Sequence, residues 1–362
     1  MTEIENRKKQ HMELARSSAS QSGRSALWED VHLIPASLPE ISIAEVDLAT
    51  RFLGHDLRAP VVIAGMTGGH QDALEINRRL ARAAAEFGLA IGTGSQRAAL
   101  ADPKLSPTFA VIREEAPNSV VIGNIGMCQL VQQGDTPAFG PDQIRAAVSM
   151  VEADILAVHL NAVEELVQPE GDREMRGIGT AISKCVGWSP VPVIAKETGA
   201  GMSRESAMKL ASFGVQGLDV GGVGGTSFAR IEALRAQQAG NERGIRVGRT
   251  FEDWGMPTAL SVIEASAAGL PVIATGGVRT GLDAAKALAL GASLVGIGGP
   301  AINAAIESLD SLMKEVSHLL EELRVAMTLV GAAGVADLRA HQPVLLGQIG
   351  QWLDSRGLGR RG

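Results

Sequence analysis

From about residue 60 the chain alternates short apolar, β-branched runs with longer runs in which apolar residues recur at helical spacing. The short runs are VVIAGM (61–66), LAIGTG (89–94), SVVIGN (119–124), DILAVHL (154–160), VPVIAKE (191–197), VQGLDVGG (215–222), LPVIATGG (270–277) and SLVGIGG (293–299), eight in all. They are apolar almost throughout, as expected for strands covered on both faces of a parallel sheet. Intervening stretches such as ALEINRRLARAAAEFG and GLDAAKALALGA hold an apolar helical face and often end at glycine, a frequent helix terminus. Eight βα units joined by right-handed crossovers predict a (β/α)8 TIM barrel. The alternative is an open doubly wound sheet, but no early strand is followed by the GxGxxG turn that such sheets use for dinucleotides.

Residues 1–55 precede the barrel with little periodicity and open on the basic cluster Arg7, Lys8, Lys9. By itself such a run reads as a solvated end; folded over the barrel mouth, it would bring cations to a polyanionic ligand. Residues 56–345 are assigned to the barrel and 346–362 to a tail. The run SLDSLMKEVSHLLEELRVAMTLVGA predicts a long amphipathic extension of helix eight, packed on the outside or on a neighbouring subunit.

Composition narrows the function. The chain has 362 residues, 45% apolar and 20% charged, with a formal charge of −7, which is globular and speaks against a generic nucleic-acid binder. Aromatics are 3% and tyrosine is absent, too few faces for a base-stacking platform. Cys128 and Cys185 cannot make a disulfide framework, and the opening residues lack an export pattern, so a reduced, cytoplasmic protein is expected. The uncharged stretch 287–306 is long enough for a membrane span, but its glycines and Pro300 read better as helix end, strand and loop, and no membrane association is expected.

Barrel chemistry sits where strands end at their carboxyl side. Here those ends read MTGG, GSQR, GNIG, HLN, AKETGAG, GGVGGT, TGGVRTG and GIGGPA. The last two matter most. Gly276, Gly277 and Val278 lead into one helix, and Gly298, Gly299, Pro300 and Ala301 into the next. Glycine lets backbone amides approach an anion, and the helix start adds a favourable dipole, so two such turns after strands 7 and 8 point to a phosphate site. Tight βα turns alone would also use these glycines. Lys196 ends an otherwise apolar strand and costs desolvation unless it meets an anion or an electron-rich ring, although a surface pair with Glu197 is the plainer reading. His159, Asn161, Glu164, Glu165 and Gln168 fall within ten residues, a set suited to a hard cation that keeps its waters, or else to a solvated helix face.

Taken as a set, RKKQH (7–11), MTGG, GSQR, HLN with Glu164 and Glu165, QPEGD (168–172), VIAKETGAG (193–201), GGTSF (224–228), DWGMPT (253–258) and ATGGVRTGLDAAKALALGA (274–292) span nearly the whole chain. In this the sequence resembles the flavin-dependent, type 2 isopentenyl diphosphate isomerases. The resemblance implies interconversion of isopentenyl and dimethylallyl diphosphate in isoprenoid biosynthesis, with FMN reduced by NADPH and with Mg²⁺. It further implies FMN contacts at Met66, Thr67, Gly68, Ser95, Asn124, Lys196, Thr226, Gly277, Val278, Gly299 and Pro300. The substrate diphosphate would meet Arg7, Lys8, Ser95, Arg97, His159 and Asn161, and Glu165 would hold Mg²⁺. Catalytic roles would fall to Glu164, His159 and Lys196. Similar enzymes are homo-oligomers, tetramers or octamers.

One position departs from the family pattern. Glu164 stands where the family has Gln, beside Glu165. Two adjacent carboxylates near a diphosphate resist joint ionisation, so Glu164 is expected to be held protonated and to act as the acid, with altered pH dependence. Weakened or altered activity is the alternative, as is a non-catalytic flavin or diphosphate binder. An FMN-dependent 2-hydroxy acid dehydrogenase is a further reading, disfavoured because residues 215–255 contain no histidine to act as base.

Overall fold

The computed structural model describes Gln10, Leu14 and residues 17–358. Eight parallel strands close into a barrel: β1 Val61–Ile63, β2 Ala90–Gly92, β3 Val121–Gly126, β4 Ile155–Leu160, β5 Val193–Glu197, β6 Gly217–Asp219, β7 Val272–Thr275 and β8 Leu294–Ile297. Seven lie within predicted runs, β3 extends two residues past its run to Gly126, and β8 pairs with β1 to complete the ring. The doubly wound alternative is excluded.

Side chains alternate along a strand, so every second residue enters the barrel. Val62, Ala90, Ile122, Ile155, Ala157, Ile194, Ile273 and Leu294 form one interior cluster. Phe52 and Leu57 join it from a hairpin, Thr50–Phe52 paired with His55–Leu57, which stoppers the amino-terminal end of the barrel. Two residues further along the strands the interior turns polar, with Asn124, His159, Lys196, Asp219 and Thr275. An apolar floor below and a polar tier above fix the chemistry at the carboxyl end.

The outer helices bury one face each. The helix after β1, α1 (Ala73–Phe87), buries Ile76, Leu80 and Ala84 and stops at Gly88, whose φ of 64° suits glycine. Beyond β8 the predicted single long helix is instead two, α2 (Gly299–Glu307) and α3 (Leu309–Leu329). Ser308 is extended and caps α3 by accepting the Ser311 amide at 3.0 Å, which ends one helix and starts the next. Leu312, Val316, Leu319, Leu323 and Met327 of α3 are buried against the helical layer of the same chain.

The described residues beyond α3 are structured as well. Val344–Leu345 pairs antiparallel with Val31–His32, and helix α4 (Gly347–Ser355) buries Ile349 and Leu353. Asp30 caps α4 from across the chain, its Oδ2 accepting the Gln348 and Ile349 amides at 2.7 and 3.2 Å. Within 287–306 lie a helix end and β8, as the sequence suggests, and then most of α2 in place of a loop; among the described residues no helix is long and apolar enough to cross a membrane.

Candidate active site

In the register of the parallel sheet His159 of β4 pairs with Lys196 of β5, which pairs with Asp219 of β6, so three ionisable residues stand in one row. Asn124 on β3 orients the first of them. Its Nδ2 donates to the Thr93 carbonyl at 2.9 Å, which leaves Oδ1 as acceptor toward His159 Nδ1, also 2.9 Å away. The imidazole Nδ1 therefore carries a proton. Asn124 is buried, and its backbone amide donates to Gln96 Oε1 at 2.8 Å, a glutamine that is itself fully buried.

Beyond β4 a short helical turn, Ala162–Val167, carries the carboxylates. Asn161 Nδ2 donates to Glu164 Oε2 and to Glu165 Oε1, each at 3.0 Å. Glu165 Oε2 accepts the Asp172 amide at 2.8 Å, and the Asp172 carboxylate pairs with Arg97 at 2.8 Å. Arg97, Asp172, Glu165, Asn161 and Glu164 thus form one continuous network along the rim. Glu165 is buried, which disposes of the solvated-face alternative for it, whereas Glu170 pairs with the half-buried Arg235 and Glu174 with the exposed Arg176. The pKa of Glu165 is raised, first by burial and then by the charge of Glu164. The fold thus buries Glu165 beside Glu164, and the two carboxyl groups share the Asn161 amide.

Buried polar atoms at this end without a hydrogen-bond partner include Thr67 Oγ1, Thr93 Oγ1, Asn161 Oδ1 and Gln168 Nε2. Unpartnered buried polar atoms are rare, and several around one opening mark a place prepared for a polar ligand. Gly68 is beside Thr67 with φ of 143°, and any side chain there would enter the Phe109 ring. Met66 is half-buried, with its sulfur 3.4 Å from where a side chain on Gly298 would start, and Ser95 is half-buried at the end of β2.

The two glycine turns flank the same opening. Gly276 and Gly277 have φ of 113° and 67°, and Thr258 Oγ1 donates to the Gly276 carbonyl at 2.7 Å. Arg279 and Thr280 spend their amides on Asp283 Oδ2, at 3.1 and 3.0 Å, so the donors left to this turn are those before them, at Gly277 and the buried Val278. At the other turn α2 starts at Gly299, with Pro300 next. A side chain built on Gly299 would meet open space. This pairing of glycine-rich turns and a helix start fits a phosphate cradle.

The described part of the amino-terminal segment packs on these turns. Gln21 bridges to Thr226, Ser22 N donates to the Gly225 carbonyl at 2.8 Å, and Trp28 Nε1 donates to the Gly277 carbonyl at 3.1 Å. Residues 20–30 therefore reach the carboxyl end of the barrel, as a mouth-covering segment must. Arg7 and Lys8 lie outside the described residues.

Sequence reading gave no role to three residues. Asp172 holds Arg97; it was visible inside QPEGD, but its partner was not. Glu197 was read only as a neighbour of Lys196, yet its Oε2 accepts the amides of Gly199, Ala200 and Gly201 at 2.7, 2.6 and 3.0 Å and so shapes the turn after β5. Burial pushes its pKa up to about 7 against the pull of those amides and of Lys196. Asp219 belongs to the polar tier, and counting alternate residues along the run 215–222 would have found it.

Comparison with known proteins follows the same lines. Residues 180–344 match the family model described as FMN-dependent dehydrogenase. The isopentenyl-diphosphate delta-isomerase of Methanosarcina acetivorans is 46% identical over 352 residues, 97% of this chain and 94% of that protein. The protein of the same name from Methanothermobacter thermautotrophicus is 41% identical, covering 98% and 97%. Among solved structures, a lactate oxidase of Pediococcus acidilactici shares the fold at 16% identity with a TM-score of 0.62, covering 93% of this chain and 94% of that one. A mandelate oxidase does so at 20% identity with a TM-score of 0.61, covering 91% of each chain.

Proposed function

Since the chain belongs to the isopentenyl-diphosphate delta-isomerase family, of the flavin-dependent type, we propose that it interconverts isopentenyl and dimethylallyl diphosphate with bound FMN. The observation that carries this reading is the row His159, Lys196, Asp219 standing over an apolar floor, with a carboxylate network on one side and two glycine turns on the other.

The residues fit the cofactor. Gly277, Val278, Gly299 and Pro300 would cradle its phosphate, Met66, Thr67 and Gly68 would line its ring, and Ser95, Asn124, Lys196 and Thr226 would complete its contacts. The unpartnered Thr67 hydroxyl and the open space at Gly299 support this placement. When bound and reduced, FMN supplies an electron-rich ring with a nitrogen able to exchange a proton. For Mg²⁺ the fit is of a different kind. Among the described residues no group of three or more His, Cys, Asp or Glu side chains is placed to hold an ion. Glu165 alone would ligate it, with diphosphate oxygens and water completing an all-oxygen shell, the usual arrangement for this ion.

The protein's own contribution is charge placement and the exclusion of water. Moving an unactivated double bond by protonation builds a tertiary cation that bulk water would quench, and the Phe52–Leu57 hairpin closes the barrel below the reacting end. His159 Nε2, Asn161 and Arg97, with Ser95 and the basic residues Arg7 and Lys8, would bind the diphosphate. Its binding energy, remote from the reacting carbons, then fixes the alkene in place. Glu164 would hold the proton near the alkene, in the position where the family has an amide. NADPH as reductant, a homo-oligomeric assembly and a cytoplasmic setting belong to the same reading.

The deciding experiment uses protein reconstituted with FMN, reduced with NADPH or dithionite, and incubated with isopentenyl diphosphate and Mg²⁺ while proton NMR follows dimethylallyl diphosphate. Appearance of the isomer supports the proposal. No isomer, with flavin instead reduced by lactate or glycolate, would replace it with the 2-hydroxy acid dehydrogenase reading.

A further inference from the structure

Lys196 carries a positive charge into a mostly buried barrel mouth, where a lysine tends to lose its proton unless an anion holds it. The ionisable groups around it are His159 from β4, Glu197 on its own strand and Asp219 from β6; Asn124 of β3 and Thr275 of β7 are neutral. Glu197 has its Oε2 committed to three amides of the turn that follows it, and meets Lys196 through its carbonyl, 3.3 Å from Nζ. Asp219 is less committed, its carboxylate meeting only the Gly221 amide at long range and the Thr275 hydroxyl. It is 5% exposed, its Oδ1 is 3.4 Å from the Gly221 amide, and it is the register partner of Lys196 on the neighbouring strand. Burial raises its pKa, and the charge of Lys196 is the foremost influence holding it down.

We propose that Asp219 is a positioning residue for Lys196, the buried counter-charge that keeps the ammonium protonated and turned into the barrel mouth. The proposal rests on the reading that Lys196 faces bound flavin. An anion beside a lysine favours its charged form, so removing the carboxylate lowers the pH at which Lys196 loses its proton. A buried charge left without its partner also destabilises the fold. The two consequences are measured separately.

In the first experiment FMN affinity is followed by flavin fluorescence from pH 7 to pH 9. The parent protein is expected to bind nearly evenly across the range. Asp219→Asn is expected to bind at least about tenfold more weakly at pH 9 than at pH 7, because the cation is lost. Lys196→Arg combined with Asp219→Asn is expected to be flat again, since a guanidinium keeps its proton. An Asp219→Asn profile parallel to the parent overturns the proposal. The second experiment compares thermal unfolding of Asp219→Asn, Lys196→Met and the double variant, without FMN. Each single change is expected to lower the midpoint and the double change to recover part of the loss; additive losses, or no recovery, overturn the proposal. If the parent binds no FMN at all, the flavin reading has failed, while the unfolding cycle still decides whether Asp219 and Lys196 are coupled.

Discussion

His159 Nδ1 lies 2.9 Å from Asn124 Oδ1, on adjacent strands whose register sets Gly126 opposite His159. Because Asn124 is itself oriented by Thr93, the tautomer of His159 is decided two strands away. Asn124→Ala is expected to free the ring and lower kcat/KM for isopentenyl diphosphate roughly tenfold, the loss of about 1–2 kcal/mol of hydrogen bonding to a buried partner. Steady-state isomerisation at matched flavin occupancy measures this, and an unchanged kcat/KM would show that the ring needs no such orientation.

Gly299 offers a test with opposite outcomes for fold and ligand. An added methyl group meets nothing in the protein, so Gly299→Ala is expected to leave the unfolding midpoint without FMN within a degree or so. If phosphate occupies that space, FMN affinity falls by about tenfold or more. Equal affinity in both proteins removes the cradle from this turn.

The Glu197 carboxyl gives a pH prediction. Its folded pKa, pushed up to about 7 by burial, exceeds the unfolded value of 4.5, so the folded state holds more protons between them. Stability from this group is therefore present at low pH and declines as pH rises from about 4.5 through about 7. Glu197→Gln is expected to gain on the parent across that window, by on the order of 1–3 kcal/mol at most. Urea unfolding at pH 5 and pH 7.5 reads the difference, and a gap that stays constant, or narrows toward higher pH, contradicts it.

Asp30 caps a helix more than three hundred residues away. Asp30→Ala is expected to cost about 0.5–2 kcal/mol, the usual value of such a cap, and to loosen α4 before the barrel opens. Hydrogen exchange at Gln348 and Ile349 should rise while the strand amides stay protected. Uniform loss of protection would place α4 within the same cooperative unit as the barrel.

What the sequence made legible follows from how the signals are encoded. Barrel strands are short, apolar and bounded by glycine, so their number and order could be read locally, and the strand-end residues came with them. Glu165, Asn161 and the glycine turns stood out because their residue types fall at strand ends, and the fold brings them to one end of the barrel. Partnerships across the chain were not readable. Nothing local links Asp172 to Arg97 or Asn124 to His159, and burial, which raises Glu165, is decided by neighbouring elements. The tail was missed for the same reason: α4 depends on Asp30 and on the pairing with Val31–His32, both supplied from the opposite end of the chain.

The hairpin that fills the barrel floor has a consequence for traffic. With Phe52 and Leu57 seated against Ile122, Ile155 and Ile194, the interior is a blind well rather than a pipe. Among the described residues the polar tier is therefore reached from the upper end, past the segment formed by residues 20–30. Anything seated on that tier has the floor at its back and a mouth on one side alone among the described residues.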